Sequence, residues 1–243
     1  ATLEDIKRFH TTFYGANRGE IAIIGDFDEG EVTKAITEEF GAWKTDAPYA
    51  RMIRKFDDIA PVIRAIEAPD KENAVFRARI NVNMNEDDAD YPALFLANYI
   101  MGGGAGFDSR LMARIRVKEG LSFDVGSGLT AGRIDRAGRW EVQAIAAPQN
   151  IDKVEVAFRE ELAGALKEGF TPTELAAAKS GVMQQRLQTR AQDDSLAGGW
   201  VNYLYLSKTF AWSKQFEDKL AALKADEVLA AMKKHIDPAK ITI

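Results

Sequence analysis

Cysteine is absent from this chain and histidine is scarce. The 243 residues include no Cys and two His, His10 and His235. The lack of Cys excludes disulfides and thiol chemistry, but it fits an oxidising or a reducing compartment equally well. A zinc site of the His-x-x-Glu-His type needs two His on one helical turn. Neither His has such a neighbour, so we expect structural roles for both and no metal site in this chain.

Long apolar runs and an excess of positive charge are also missing. No apolar run approaches the ~20 residues that cross a bilayer, so we expect no membrane span. The first residues lack the basic and apolar regions of a signal peptide, which predicts that any export signal lies outside this chain. The net charge of -5 argues against nucleic-acid binding, because phosphate recognition needs clustered positive charge.

Motifs for nucleotide binding and nucleophilic catalysis are absent. Gly102, Gly103 and Gly104 resemble a phosphate loop, but Phe107 and Asp108 stand where a P-loop needs Lys and Ser or Thr. Two interpretations stay open for these glycines: a low-profile loop that lines a cleft, or a helix stop followed by an Asp108 cap. No serine stands in a Gly-x-Ser-x-Gly context, so nucleophilic catalysis has no support.

Hydrophobic periodicity predicts both strands and helices. Apolar and polar residues alternate from Phe76 to Val82, which is typical of a half-buried antiparallel strand. We predict two further strands at 121–125 and 138–146, paired through a turn at 131–133. Because helical patterns then follow to the end of the chain, an α+β fold is favoured, with an antiparallel sheet packed against helices. The predicted helices span 92–101, 151–168, 175–192, 196–206 and 212–223.

The two ends of the chain show the same order of elements. The first part reads as a helix, a strand at 21–24 and a turn, and the last part reads as a helix, a turn and a strand at 241–243. This order predicts an internal duplication. Residues 1–58 would then close one unit and include a proline-containing connector, while residues 60–243 would form most of a second unit.

The stretch from Asp108 to Phe123 is a basic helical segment that stops at Gly120 and turns into a strand. It resembles the Arg-to-Tyr segment in the C-terminal, non-catalytic half of insulinase-type (M16, pitrilysin-like) zinc peptidases. Residues 9–28 resemble the helix, strand and Gly-Asp turn that end a domain in this family, and residues 171–179 resemble its Glu-Leu-x-x-x-Lys helix. The resemblance therefore covers nearly the whole chain.

Arg116 and Phe123 stand at the family's Arg and Tyr positions. The resemblance implies that both reach into the active chamber and bind substrate, and that Arg116 assists catalysis by stabilising charge on the substrate carbonyl. From the residues alone, Arg116 also fits a solvated helix end or a pair with Glu119. Phe123 has no hydroxyl to donate, and its spacing with Leu121 and Val125 also fits a plain apolar strand face.

The resemblance also implies a function and a partner. It implies an M16-like unit, similar to LuxS and processing peptidases, preceded by part of a similar unit. Such a chain would be the zinc-free half that binds a peptide and closes the chamber, with no cofactor of its own. A partner half on the same or another chain would carry zinc and the Glu base.

Gly102, Gly103 and Gly104 join Arg116 and Phe123 as expected substrate-binding residues. Two alternatives stay open. One is a structural core-type or processing-peptidase-like scaffold subunit, which Phe123 in place of Tyr favours, and the other is an unrelated α+β binding module. The sequence leaves the compartment open, and the resemblance to bacterial members implies the periplasm.

Overall fold

A computed structural model of the chain describes residues 1–104 and 108–243. Residue contacts divide it into two compact units, unit 1 (Ala1–Met52 with Arg186–Ser213) and unit 2 (Ile53–Gln185 with Lys214–Ile243). The two predicted ranges, 1–58 and 60–243, concern a repeat of similar units and stay a prediction. No helix in the described residues is long and apolar enough to cross a bilayer.

Helices dominate the described residues. The α-helices are α1 (Leu3–Phe13), α2 (Glu29–Phe40), α3 (Tyr91–Asn98), α4 (Ile151–Glu168), α5 (Pro172–Arg190), α6 (Asp193–Tyr205), α7 (Phe210–Ala222) and α8 (Ala225–His235). Two π-helical segments are π1 (Tyr99–Gly103) and π2 (Met112–Lys118), and short 3₁₀ turns cover Ala16–Arg18, Pro148–Asn150 and Pro238–Lys240. The strands are β1 (Ala74–Val82), β2 (Ser122–Thr130) and β3 (Gly138–Ala146).

Unit 2 contains a three-stranded antiparallel sheet in the order β1-β3-β2. In the register of the central strand, Phe76 lies opposite Ala144 and Ile80 lies opposite Trp140. Because side chains alternate between the two faces of a strand, these four residues share one face, and all four are buried. The structure confirms the predicted α+β class, with its antiparallel sheet and helices.

Helix α4 packs on the buried face of the sheet. The Phe158 ring lies 6.3 Å from the Trp140 ring and 5.4 Å from the Phe76 ring, centroid to centroid. All three side chains are buried. Burial of each large apolar side chain contributes on the order of 1.5–3 kcal/mol, so this aromatic cluster is a main stabilising contact between helix and sheet.

Unit 1 contains a polar contact between Asn17 and Thr45 and leaves an apolar helix face open. Thr45 is buried, and the Asn17 side chain forms two hydrogen bonds with its backbone, both of 3.0 Å. The predicted amphipathic first helix forms as α1. Its apolar residues Ile6, Phe9 and Phe13 stay 59%, 56% and 49% exposed, so the described residues do not bury that face.

Two predicted strands differ from the structure. The prediction for 21–24 is wrong, because a strand needs a neighbour to take its backbone hydrogen bonds and the described residues of unit 1 contain no second strand. The prediction for 241–243 is wrong in extent. Thr242 forms one antiparallel bridge to Arg79, with N–O distances of 2.8 and 2.9 Å, at the edge of β1.

Candidate functional site

The predicted Arg-to-Phe segment spans π2, a glycine turn and the start of β2. The predicted helix forms here as π-helix, a rare geometry that is frequent at functional sites. Arg116 is exposed in the last turn of π2. The turn that follows is closed by two backbone hydrogen bonds, from Gly120 N to Arg116 O at 3.2 Å and from Leu121 N to Ile115 O at 2.9 Å. Arg116 thus stands on a fixed backbone.

Gly120 sets this turn through its left-handed backbone conformation, with φ +63°. An added Cβ would meet no atom within 4 Å, so only the backbone conformation demands glycine. We expect Gly120→Ala to destabilise the protein by about 1–2 kcal/mol. Gly164→Ala in the middle of α4, where a Cβ also meets nothing, should stabilise it by about 0.5–1 kcal/mol. Urea denaturation midpoints measure both changes in stability. A shift of both midpoints in the same direction would contradict this account.

Arg114 ties the same helix to α4. Its guanidinium pairs with Glu119, with Glu160 Oε2 at 2.7 Å and with Glu161 Oε1 at 3.5 Å. The hydrogen bond with Glu119, followed by that with Glu160, raises the pKa of Arg114. Because these carboxylates already occupy Arg114, its role is to hold the helix end in place.

Phe123 lies outside the apolar face of its strand. A β-bulge between Ser122 and Asp124 interrupts the register of β2 with β3. Leu121 and Val125 are buried, whereas Phe123 is 62% exposed. The interpretation of Phe123 as one more inward-facing residue of a plain apolar strand is therefore wrong, because the bulge breaks the alternation. Its ring is available to a ligand.

Gly102, Gly103 and Gly104 lie at points of close packing. An added Cβ at Gly102 would stand 2.7 Å from a backbone nitrogen of β2, and at Gly103 it would stand 2.3 Å from Asn98 Nδ2. At Gly104 it would stand 2.9 Å from the ring of Tyr99. The first two end π1, and residues 105–107 of the glycine-containing loop lie outside the described residues. The substrate-binding role of the three glycines stays a prediction.

The Asn98 side chain joins three elements of the fold, and the sequence pattern did not predict this role. Its buried side-chain oxygen accepts hydrogen bonds from Trp140 Nε1 at 3.0 Å and from Ser127 Oγ at 2.9 Å. These bonds join the end of α3 to β3 and β2. The available signal was a single Asn inside the apolar helix pattern of residues 92–101.

Each His side chain contacts a residue of its own unit. His10 stacks on Trp43 at 5.5 Å between ring centroids, and His235 Nε2 lies 3.0 Å from Asp90 Oδ2. The hydrogen bond from Lys234, followed by that from His235, lowers the pKa of Asp90. The described residues contain no group of three or more His, Asp or Glu that could hold a metal ion, so they do not fit a zinc site.

Unit 2 is an α+β domain with an antiparallel sheet, and the described residues contain no group that could hold a metal ion. Residues 1–182 match the family model of the peptidase M16 inactive domain. The chain therefore belongs to the M16 peptidase family, as an inactive domain. A search of curated protein sequences finds no match.

Solved structures share the fold over most or all of the chain. The peptidase M16 inactive domain from Pseudomonas fluorescens matches with a TM-score of 0.81 and 27% identity, over 100% of this chain and 57% of that one. A protease from Helicobacter pylori matches with a TM-score of 0.83 and 18% identity, over 100% of this chain and 58% of that one. The periplasmic protease PqqL from Escherichia coli matches with a TM-score of 0.64 and 19% identity, over 87% of this chain and 23% of that one. The chain thus spans little more than half the length of the first two.

Proposed function

We propose that this chain is the zinc-free half of an M16-type metalloendopeptidase, which binds the peptide substrate and closes the chamber around it. The observation that carries the proposal is the position of Arg116. It is exposed at the end of π2, on a backbone fixed by the Gly120 turn, and Phe123 is exposed where the next strand begins. In this proposal residues 1–58 close a preceding similar unit.

Arg116 would act on the substrate carbonyl oxygen. A guanidinium that is already in place costs little reorganisation, and its hydrogen bond strengthens as negative charge develops on that oxygen. Phe123 would pack against the peptide through its ring. Since the described residues do not fit zinc, we assign the metal and the general base to the partner half. This chain contributes binding and orientation.

A scaffold subunit is the second candidate, and Phe123 favours it. A phenylalanine cannot donate a hydrogen bond, so the transition-state assistance that the resemblance implies for the family's Tyr is missing at this position. In that case the chain would serve assembly, and Arg116 would be a surface residue without a role in turnover.

Co-expression with and without the zinc-bearing half separates these candidates. We expect hydrolysis of an unfolded peptide only when both halves are present, because each supplies part of the chamber. Size-exclusion chromatography of the same samples reports assembly. If the zinc-bearing half alone hydrolyses the peptide as fast as the assembly does, the chain is a scaffold and the proposed function fails.

A further inference from the structure

The exposed face of the sheet in unit 2 carries a trough of about 570 Å³. Its floor includes Gly126 and Gly128 of the edge strand β2, and its lining includes Arg77 and Arg79 of β1. In the sheet register, Gly126 and Arg77 both lie opposite Gln143 of the central strand. The glycines and arginines thus occupy opposite sides of one face, about 10 Å apart across two strand spacings.

The fold does not require glycine at position 128, because the backbone there leaves room for a side chain. A Cβ built there has Glu141 Cγ as its nearest neighbour, at 3.8 Å, which is ordinary van der Waals contact. Its backbone φ is not in the left-handed range that demands glycine. Glycine inside a strand weakens the strand, and it often marks a place where a ligand or another backbone approaches closely. The space above Gly128 is therefore open to a ligand.

Arg77 and Arg79 give the trough its charge. Both are exposed, and neither guanidinium forms an ion pair or a hydrogen bond within residues 1–104 and 108–243. Glu141 lies opposite Arg79 in the register, but its carboxylate lies 3.5 Å from Arg139 Nε instead. The Cα atoms of these two arginines lie about 7 Å apart on one face of β1. Because neither guanidinium is paired within the described part of the chain, this side of the face suits an anionic group.

Asp124 limits the positive charge to one side. It is exposed on β2 and also lines the trough, so the arginines of β1 and this carboxylate lie on opposite strands of the sheet. A ligand that crosses the face therefore meets positive charge near β1 and negative charge near β2. This polarity favours an elongated ligand with a carboxylate at one end or on one side chain.

We propose that this trough binds an extended segment of the peptide substrate and that Arg77 and Arg79 hold a carboxylate of that segment. The proposal rests on the proposed function and adds to it a substrate class, peptides with an acidic group. That group is either a Glu or Asp side chain or the C-terminal carboxylate of the peptide. A guanidinium recognises both through the same charge-assisted hydrogen bonds.

Fluorescence anisotropy with four labelled peptides tests the proposal on the whole protein. The peptides share one unstructured Ala-Gly-Ser sequence with a central Glu or Gln, and each has a free or an amidated C-terminus. We expect a carboxylate to tighten binding about tenfold, since a hydrogen bond to a charged group contributes that much. If the Glu-to-Gln change removes the gain, the source is the side chain, and if amidation removes it, the source is the terminus.

Three variants complete the design. Arg77→Ala/Arg79→Ala should abolish the carboxylate preference. Lys153→Ala/Lys167→Ala removes two positive charges as well, from exposed positions of α4, which packs on the opposite face of the sheet. This variant should preserve the carboxylate preference. Gly128→Val should weaken all four peptides by filling the trough, and denaturation midpoints check that each variant folds.

The outcomes separate this inference from the proposed function. Equal binding of all four peptides, or an unchanged preference in Arg77→Ala/Arg79→Ala, overturns the carboxylate site and leaves the proposed function standing. If no peptide binds the wild-type protein and the zinc-bearing half works equally well alone, both proposals fail.

Discussion

Replacement of Arg116 by alanine in the assembly with its zinc-bearing half should lower peptide turnover by roughly 10²–10³-fold, as expected for loss of an oxyanion donor. The effect should fall on kcat more than on KM, because the guanidinium interacts most strongly with the charge that develops in the transition state. Steady-state kinetics with a quenched fluorescent peptide measures both constants. An unchanged kcat would refute this role for Arg116.

Two further variants sharpen the test of Arg116. Lys118→Ala removes an exposed cation from the same last turn of π2 and should leave kcat within about twofold, because an exposed charge without the right geometry contributes little. Phe123→Tyr adds a hydroxyl to a side chain that is 62% exposed, so it should fold normally. If the missing hydroxyl limits turnover, this variant should raise kcat.

Glu174→Gln should produce the largest loss of stability among the charge variants, about 2 kcal/mol at pH 7. The carboxylate accepts two hydrogen bonds from Arg110, at 2.6 and 2.8 Å, and Thr171 N donates a third at 2.8 Å. The hydrogen bond with Arg110 is the main cause that lowers the pKa of Glu174 from 4.5 to about 2. The full change in pKa corresponds to about 3 kcal/mol. Solvent screening lowers the expected contribution to stability, because 28% of the Glu174 side chain is exposed.

The pH dependence of this contribution follows from the sign of the shift. The pKa of Glu174 is lower in the folded than in the unfolded protein, so its stabilisation is complete above pH 4.5 and is lost as the pH falls towards about 2. The difference in unfolding free energy between wild type and Glu174→Gln should therefore shrink across that window. Urea denaturation at several pH values measures it.

Glu155→Gln provides the control for Glu174. Glu155 pairs with Arg159 one turn along α4, at 2.8 Å and with both side chains partly exposed. Such helix-surface pairs contribute about 0.3–0.5 kcal/mol. Equal losses in the Glu174 and Glu155 variants would show that the contacts with Arg110 and Thr171 add nothing beyond a surface pair.

Local sequence patterns were sufficient to predict most helices and strands, but not which strands pair with each other. The alternation from Phe76 to Val82 predicted β1, because one face of that strand is apolar at every second residue. A similar apolar run at 21–24 forms no strand, because the described residues of its unit contain no neighbour with which it can pair. Strand formation depends on residues distant in sequence.

In the candidate site, too, some features follow from local sequence and others depend on residues distant in sequence. The sequence placed Arg116 at a helix end before a glycine, and the structure gives that glycine the left-handed conformation that ends the helix. The exposure of Phe123 did not follow from its spacing, because a bulge depends on how β2 pairs with β3. The hydrogen bonds that join Asn98 to Trp140 and Ser127 likewise depend on packing across the sheet.

The sequence by itself determined the α+β class, the family resemblance and the helix end that carries Arg116, because these depend on composition, periodicity and local turn chemistry. Only the tertiary structure decided which side chains share the open face of the sheet. Arg77 and Gly126 are 49 positions apart in the sequence. The antiparallel register sets both opposite Gln143, and such a register is fixed by pairing over the whole length of the strands.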